Sequence, residues 1–170
     1  MIFLGIGSNL SSSFGDRFDN INLAISSLNK HGIQKIKKSS FYETFSYPNK
    51  KDPKFINIVI AVKTYLQPIN LMSALISIEE KLERKRGKKN DPRTCDIDII
   101  DYNNQVLNFQ YKNLDLEIPH RKLIYRNFVL FPLQEIAPSW KHPNTEEIIG
   151  ALIHKLPAED RKSILKVEKN

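Results

Sequence analysis

The sequence predicts an α+β fold: a ferredoxin-like βαββαβ sandwich with a central, mainly antiparallel sheet, helices on its faces and a less regular C-terminal extension. Three observations carry this. The apolar run of residues 2–7 is followed by a segment whose apolar residues recur at helical spacing. The run 55–65 is apolar on both faces over 56–60, as a central strand is. A second helical period after Pro68 then leads into a strand and an Asn103-Asn104 turn. The 170 residues suit a single domain spanning 1–170.

Taken in order, the first strand ends in Gly7-Ser8-Asn9, and 11–15 is a polar loop. A helix over 16–30 follows, with Phe18, Ile21, Ile25 and Leu28 on one face and Gly32 placed to cap it. Residues 33–45, with β-branched and aromatic side chains, form the second strand. Pro48, Asn49, Asp52 and Pro53 make 47–53 a polar loop suited to a lid that orders on binding. Pro68 opens the second helix, whose buried stripe is Leu71, Leu75, Ile78 and Leu82 and which ends near Gly87. A fourth strand over 94–102 turns into a return strand over 106–109. Residues 114–119 are extended, and Phe128-Val129-Leu130-Phe131 begins a short helix interrupted at Pro132. Thr145 caps a helix through Lys155 that buries Ile148, Ile149 and Leu152. The basic tail 158–170 carries a last strand at 164–167.

Composition narrows the function classes. Cys95 is the only cysteine, which excludes an intramolecular disulfide and favours a reduced, cytoplasmic setting. The first residues lack the basic flank of a signal peptide, and no run approaches the ~18 apolar residues that span a membrane. Net charge is +7, which favours polyanionic partners. Much of it lies in Lys81, Arg84, Lys85, Arg86, Lys88, Lys89 and Arg93.

The chemistry centres on Asp96-Ile97-Asp98. On a strand, alternate side chains share a face at a spacing of about 6.6 Å. Asp96 and Asp98 therefore stand together while Cys95, Ile97 and Ile99 face the core. Two carboxylates on one face repel unless a cation sits between them, and Mg²⁺ takes one or two carboxylates with water and phosphate oxygens. The alternative is a solvated face bearing two ordinary acids. Arg93, after the rigid Pro92, can grip a phosphate that such a metal also binds. The upstream basic run is otherwise a solvated helix end.

Asp91-Pro92-Arg93-Thr94-Cys95-Asp96-Ile97-Asp98-Ile99-Ile100 resembles the signature of 6-hydroxymethyl-7,8-dihydropterin pyrophosphokinase. So do, in family order, Gly5-Ile6-Gly7-Ser8-Asn9-Leu10, Ser40-Phe41-Tyr42-Glu43-Thr44, Phe55-Ile56-Asn57, Ile118-Pro119-His120 and the block from Arg126 to Pro138. The resemblance covers about residues 2–143. It implies diphosphate transfer from ATP to the hydroxymethyl group of the dihydropterin, releasing AMP, a step of folate biosynthesis. It also implies two Mg²⁺ ions on Asp96 and Asp98. Arg84, Arg86 and Arg93 match phosphate-contacting or loop positions that act in catalysis. Glu79, Ile99, His120 and Arg126 join Arg84 and Arg93 as nucleotide contacts. For the pterin, Asn57 offers donor and acceptor to the aminopyrimidinone edge, beside Thr44, Phe45, Tyr47, Phe55 and Phe128. The partners implied are these small molecules, with neither nucleic acid nor membrane, and the chain is expected to act as a monomer. The sequence departs from the family at Gly87-Lys88-Lys89-Asn90-Asp91, which lacks a Trp that many members carry. The rival class is a ferredoxin-like nucleic-acid-binding module. The acid pair would repel a phosphate backbone, and no strand carries an aromatic stacking motif of the R-G-F-x-F kind.

Overall fold

A computed structural model describes residues 1–169 apart from 86, 88, 89 and 113, and the backbone alone of 114. The elements in chain order are β1 (Ile2–Ser8), α1 (Arg17–Leu28), β2 (Gln34–Lys38), β3 (Phe41–Thr44), β4 (Phe55–Lys63), α2 (Pro68–Lys81) and β5 (Asp96–Tyr102). They continue as β6 (Leu107–Tyr111), β7 (Leu114–Ile118), α3 (Asn127–Ile136), α4 (Ile149–Lys155), α5 (Ala158–Lys162) and β8 (Leu165–Val167). The main sheet has the order β5-β1-β4-β3-β8, with β2 also on β4, and every pairing in it is antiparallel. This is the ferredoxin-like arrangement expected from the element order.

Strand alternation divides the apolar residues between two faces. On the first, Leu4, Ile6, Ile58, Ile60, Ile97 and Ile99 meet Ile21 and Leu28 of α1 and Leu71, Leu75 and Ile78 of α2. On the second, Phe3, Val59, Ala61 and Ile100 meet Val129, Leu130 and Leu133 of α3 and Leu152 and Ile153 of α4. Local signals seat the two helices of the first face. Asp16 accepts from Phe18 N–H at 2.8 Å and Asp19 N–H at 3.0 Å, while Asp19 accepts from Asp16 N–H at 3.2 Å, a reciprocal cap on α1. Gly32 takes the left-handed conformation, φ 70°, that ends the turn after α1. Pro68 occupies the first turn of α2, where its missing N–H costs nothing.

Several expectations need correction. The second strand is two, because the ladder with β4 is interrupted at Ser39 and Ser40: Ser39 N–H donates to Val59 O, but Val59 N–H donates to the Ser39 hydroxyl and not to a backbone carbonyl, both at 3.0 Å. The second helix stops at Lys81, short of Gly87, because Glu83 is left-handed at φ 64°. The return strand leaves the main sheet: Asn103 and Asn104 are both left-handed, and β6 then pairs with β7. The helix α3 runs through Pro132 instead of breaking there. An interior proline costs about 3 kcal/mol. Burying Val129, Leu130, Leu133 and Ile136 returns roughly 1.5–3 kcal/mol per side chain, which exceeds it. Thr145 does not cap α4. Glu146 is left-handed, a turn closes between His142 and Glu147, and Ile148 is left 52% exposed where burial was expected. The strand expected in the tail is present as β8, on the outer edge of β3.

Candidate active site

The covering helices leave part of the second face open. Gly7 pairs with Asn57 on one side and Asp96 on the other, and Gly5 pairs with Val59 and Asp98. Asn57 and Asp96 thus share a row across the sheet, two strand spacings or about 9–10 Å apart. The glycines keep the floor of that row low. A Cβ on Gly7 would lie 3.0 Å from Asn57 Oδ1 and 3.5 Å from the Phe55 ring.

At one end stand the acids. Arg84 donates to Asp96 Oδ1 at 2.5 Å and Arg93 to Asp96 Oδ2 at 2.6 Å. Arg126 donates to Asp98 Oδ2 at 3.2 Å. Burial works to raise the Asp96 pKa, but Arg93 and Arg84 outweigh it and hold that carboxyl below its usual value. Burial and the Asp96 charge push Asp98 upward, against the pull of Arg126. The side chain of Asp98 is 41% exposed against 21% for Asp96, so Asp98 is the more open oxygen donor. The Arg93 Nε and Thr94 Oγ1 atoms are buried without a hydrogen-bond partner among the described residues.

Glu79, expected at the nucleotide, is 3% exposed and reaches the site through others. It accepts from Ile97 N–H at 2.8 Å and from Arg84, whose guanidinium it shares with Asp96. Truncating one partner of such a buried network costs about 3–5 kcal/mol, because the remaining charge is stranded. Because the Ile97 N–H faces the free outer edge of β5, the N–H and C=O of Ile99, two residues on, face it too. The Ile99 side chain lies in the core of the first face, which leaves its backbone for any nucleotide contact. Both ring nitrogens of His120 face donors: Lys122 N–H lies 3.0 Å from Nδ1 and Arg126 Nη2 lies 3.2 Å from Nε2. A neutral imidazole accepts at only one nitrogen, so Nε2 can serve as a donor to an anionic oxygen once Arg126 turns away from it. Burial, then Arg126, lowers the His120 pKa to about 4, so the ring is neutral at neutral pH.

At the other end, Asn57 is 6% exposed and donates through Nδ2 to Thr44 Oγ1 at 3.0 Å. Its Oδ1 accepts no hydrogen bond among the described residues. Phe55 stands on the same strand two residues before it, with the Arg93 guanidinium 4.9 Å from its ring, and Phe128, near the start of α3, lies 5.5 Å from the Arg126 guanidinium. Phe45 and Tyr47 lie further out, 46% and 79% exposed, on the chain leaving β3. Arg86 lies outside the described residues. Grooves of about 500 and 360 Å³, beside α1 and beside α4 and α5, contain none of these side chains.

Sequence reasoning gave no role to Asn9, which is 2% exposed. Its Nδ2 donates to Ser46 Oγ at 3.2 Å and Pro53 O at 3.0 Å, and its Oδ1 accepts from Arg93 N–H at 2.7 Å. One amide so ties both ends of the 47–53 loop to the strand entrance that carries Arg93. A polar residue at the end of a buried strand was the available signal.

An antiparallel α+β sheet with paired carboxylates, arginines and a histidine along one open face is the class of site that can hold a polyphosphate. The family 7,8-dihydro-6-hydroxymethylpterin-pyrophosphokinase (HPPK) matches residues 3–138, and the chain belongs to it. The 2-amino-4-hydroxy-6-hydroxymethyldihydropteridine pyrophosphokinase of Aquifex aeolicus is 36% identical over 143 residues, 84% of this chain and 83% of that protein. The Folic acid synthesis protein fol1 of Schizosaccharomyces pombe is 37% identical over 158 residues, 92% of this chain and 20% of that protein. The chain thus spans about a fifth of that relative's length. The crystal structure of Plasmodium falciparum HPPK-DHPS wild type with STZ-DHP superposes with a TM-score of 0.71 over 91% of this chain and 42% of that one. At 16% identity that likeness is one of fold. The nucleic-acid-binding alternative gains no support from these relatives. Among the described residues, no helix is long and apolar enough to cross a membrane.

Proposed function

We propose that the chain transfers diphosphate from ATP to the hydroxymethyl group of 6-hydroxymethyl-7,8-dihydropterin, and that the open sheet face is where it does so. The observation that carries this reading is the single row Asn57–Gly7–Asp96. It sets a polyphosphate end beside an amide that can read a pterin edge.

The acceptor oxygen forms a bond to the β-phosphorus. The bond from that phosphorus to the α,β-bridging oxygen breaks, AMP leaves with that oxygen, and the hydroxyl proton is released. Little covalent work falls to the protein, so its contribution is positioning and charge neutralisation. Arg84, Arg93 and Arg126 turn from the carboxylates to the phosphate oxygens, with Arg86 from the adjoining loop. His120, neutral, donates from Nε2 to a phosphate. Glu79 holds Arg84 in place, and the outward backbone of Ile99 meets the nucleotide. The pterin lies between Phe55 and Phe128 with its edge on Asn57 and Thr44, while Phe45 and Tyr47 close over it with the 47–53 loop.

Magnesium fits the donor set. Asp96 and Asp98 offer hard oxygens on one face, and three guanidiniums now balance their charge where a cation would. Among the described residues no third carboxylate, histidine or cysteine joins them, which suits ions that complete their shell with water and phosphate oxygens. When bound, two Mg²⁺ ions would screen the charge that develops on the transferred group. The reading places the protein in the cytoplasm, acting as a monomer on small molecules.

The test is product analysis with ATP, Mg²⁺ and the dihydropterin alcohol. AMP should form in step with the pterin diphosphate and only when the pterin is present. ADP as the nucleotide product, or AMP formation indifferent to the pterin, contradicts the reading.

A further inference from the structure

The tail beyond residue 157 lies outside the part of the chain that matches the family, and it has no role in the chemistry above. It nonetheless touches both walls of the acceptor slot. One wall is β3 and β4, which carry Thr44 and Asn57. The other is the start of α3, which carries Phe128.

These walls are joined to each other at two points. The far tie runs through Glu135, late in α3. It accepts from Ser40 Oγ at 2.8 Å and from Tyr42 Oη at 2.7 Å, and Tyr42 is the cross-strand partner of Asn57. The near tie runs through the tail. Asn127, the first residue of α3, donates through Nδ2 to Asp160 O at 2.7 Å and Ser163 Oγ at 3.2 Å. Ser163 Oγ itself donates to Asp160 O at 3.1 Å, which closes a small cradle around the amide. Two residues later the chain enters β8, which pairs Leu165 with Glu43, Lys166 with Tyr42 and Val167 with Phe41. Lys166 also reaches Glu135 at 3.5 Å, so the strand touches both ties. Asn127 sits between Arg126 and Phe128 in sequence, and α3 starts without any side-chain cap. At the start of α3 the grip of Asn127 on the tail thus adds to the core packing of Val129, Leu130 and Leu133 in setting where Phe128 stands.

We infer that residues 158–167 form a brace that fixes the width of the acceptor slot, with Asn127 as its positioning residue. The brace rests on the functional reading above, since the slot it sets is the one given there to the pterin. Asn127 touches neither substrate; it acts through the placement of Phe128.

The test is Asn127→Ala in the full chain, read by titration with the dihydropterin alcohol, by titration with a non-hydrolysable ATP analogue, and by steady-state kinetics. Losing the amide's grip should weaken acceptor affinity about fivefold or more and raise the acceptor KM by a similar factor. The affinity for the ATP analogue should stay within about twofold. Thermal denaturation checks that the variant is folded at the assay temperature. If it is not, Ser163→Ala, which removes the bonds of the Ser163 hydroxyl but keeps that from Asn127 to Asp160 O, is read in its place and should shift the same way by less. Unchanged acceptor affinity, or equal loss for acceptor and nucleotide, overturns the brace. An intact chain that binds the ATP analogue but not the pterin overturns the functional reading and the brace with it; an intact chain that binds both, beside an unchanged variant, overturns the brace alone.

Discussion

Asp96 and Asp98 are nearly identical groups two residues apart, and their surroundings give them different characters. Asp96 is gripped by two arginines, one of them held from below by a buried glutamate. Asp98 has one longer ion pair and more solvent. The division is one of charge balance: the better-neutralised acid is the more buried one. His120 shows the same logic with the opposite sign. Burial and the neighbouring Arg126 lower its pKa to about 4, so the folded ring takes up a proton at lower pH than the unfolded chain does. Stability contributed by this neutral ring is therefore present above pH about 6.5 and is lost as the pH falls through that value toward 4. A pH–rate profile of the intact enzyme should show no inflection near 6.5 that disappears in His120→Gln. Such an inflection would mean that the ring titrates in the working range and that its neutral-donor role is wrong.

At the scale of elements, the acid pair was legible because strand periodicity alone puts alternate residues on one face. The first helix and its Gly32 stop were legible for a like reason: the cap and the terminator are local. The arrangement around the pair was not. Whether Glu79 is an exposed acid or a buried clamp depends on how α2 leans on the outer edge of β5, a contact between segments distant in sequence. The stop at Lys81 depends on one left-handed residue, Glu83, which no glycine announced. The helix through Pro132 was misjudged because local cost was weighed without the burial that offsets it. β1 gives the clearest case of an element whose role is in what it omits. Gly5 and Gly7 lie within the strand expected over 2–7, and their lack of side chains keeps the floor between Asp96 and Asn57 clear. Gly7→Ala places a methyl 3.0 Å from Asn57 Oδ1. It should weaken dihydropterin binding about tenfold, a misfit of the order of overpacking, while the ATP analogue binds nearly as before. Calorimetric titration of both ligands checks this, and unaltered pterin affinity would remove Asn57 from the slot.

For the whole molecule, the two faces of one sheet have separate duties. The face under α1 and α2 is mainly apolar and holds the fold together. The other is half core, under α3 and α4, and half open, and the open half carries the charged and polar groups. The net charge of +7 is therefore less informative than its placement, because the positive groups that matter are the few turned toward two acids. The central claim is that this open half is divided, with a cation-dependent polyphosphate end at Asp98 and a cation-independent acceptor end at Asn57. Asp98→Ala in calorimetric titration tests that division most directly. Intact protein should bind the ATP analogue at least about tenfold more tightly when Mg²⁺ is added, as expected for a site completed by a carboxylate-held ion. The variant should lose that gain while keeping its affinity for the dihydropterin alcohol. A variant that retains the full magnesium-dependent gain, or that loses both affinities together, would contradict the account.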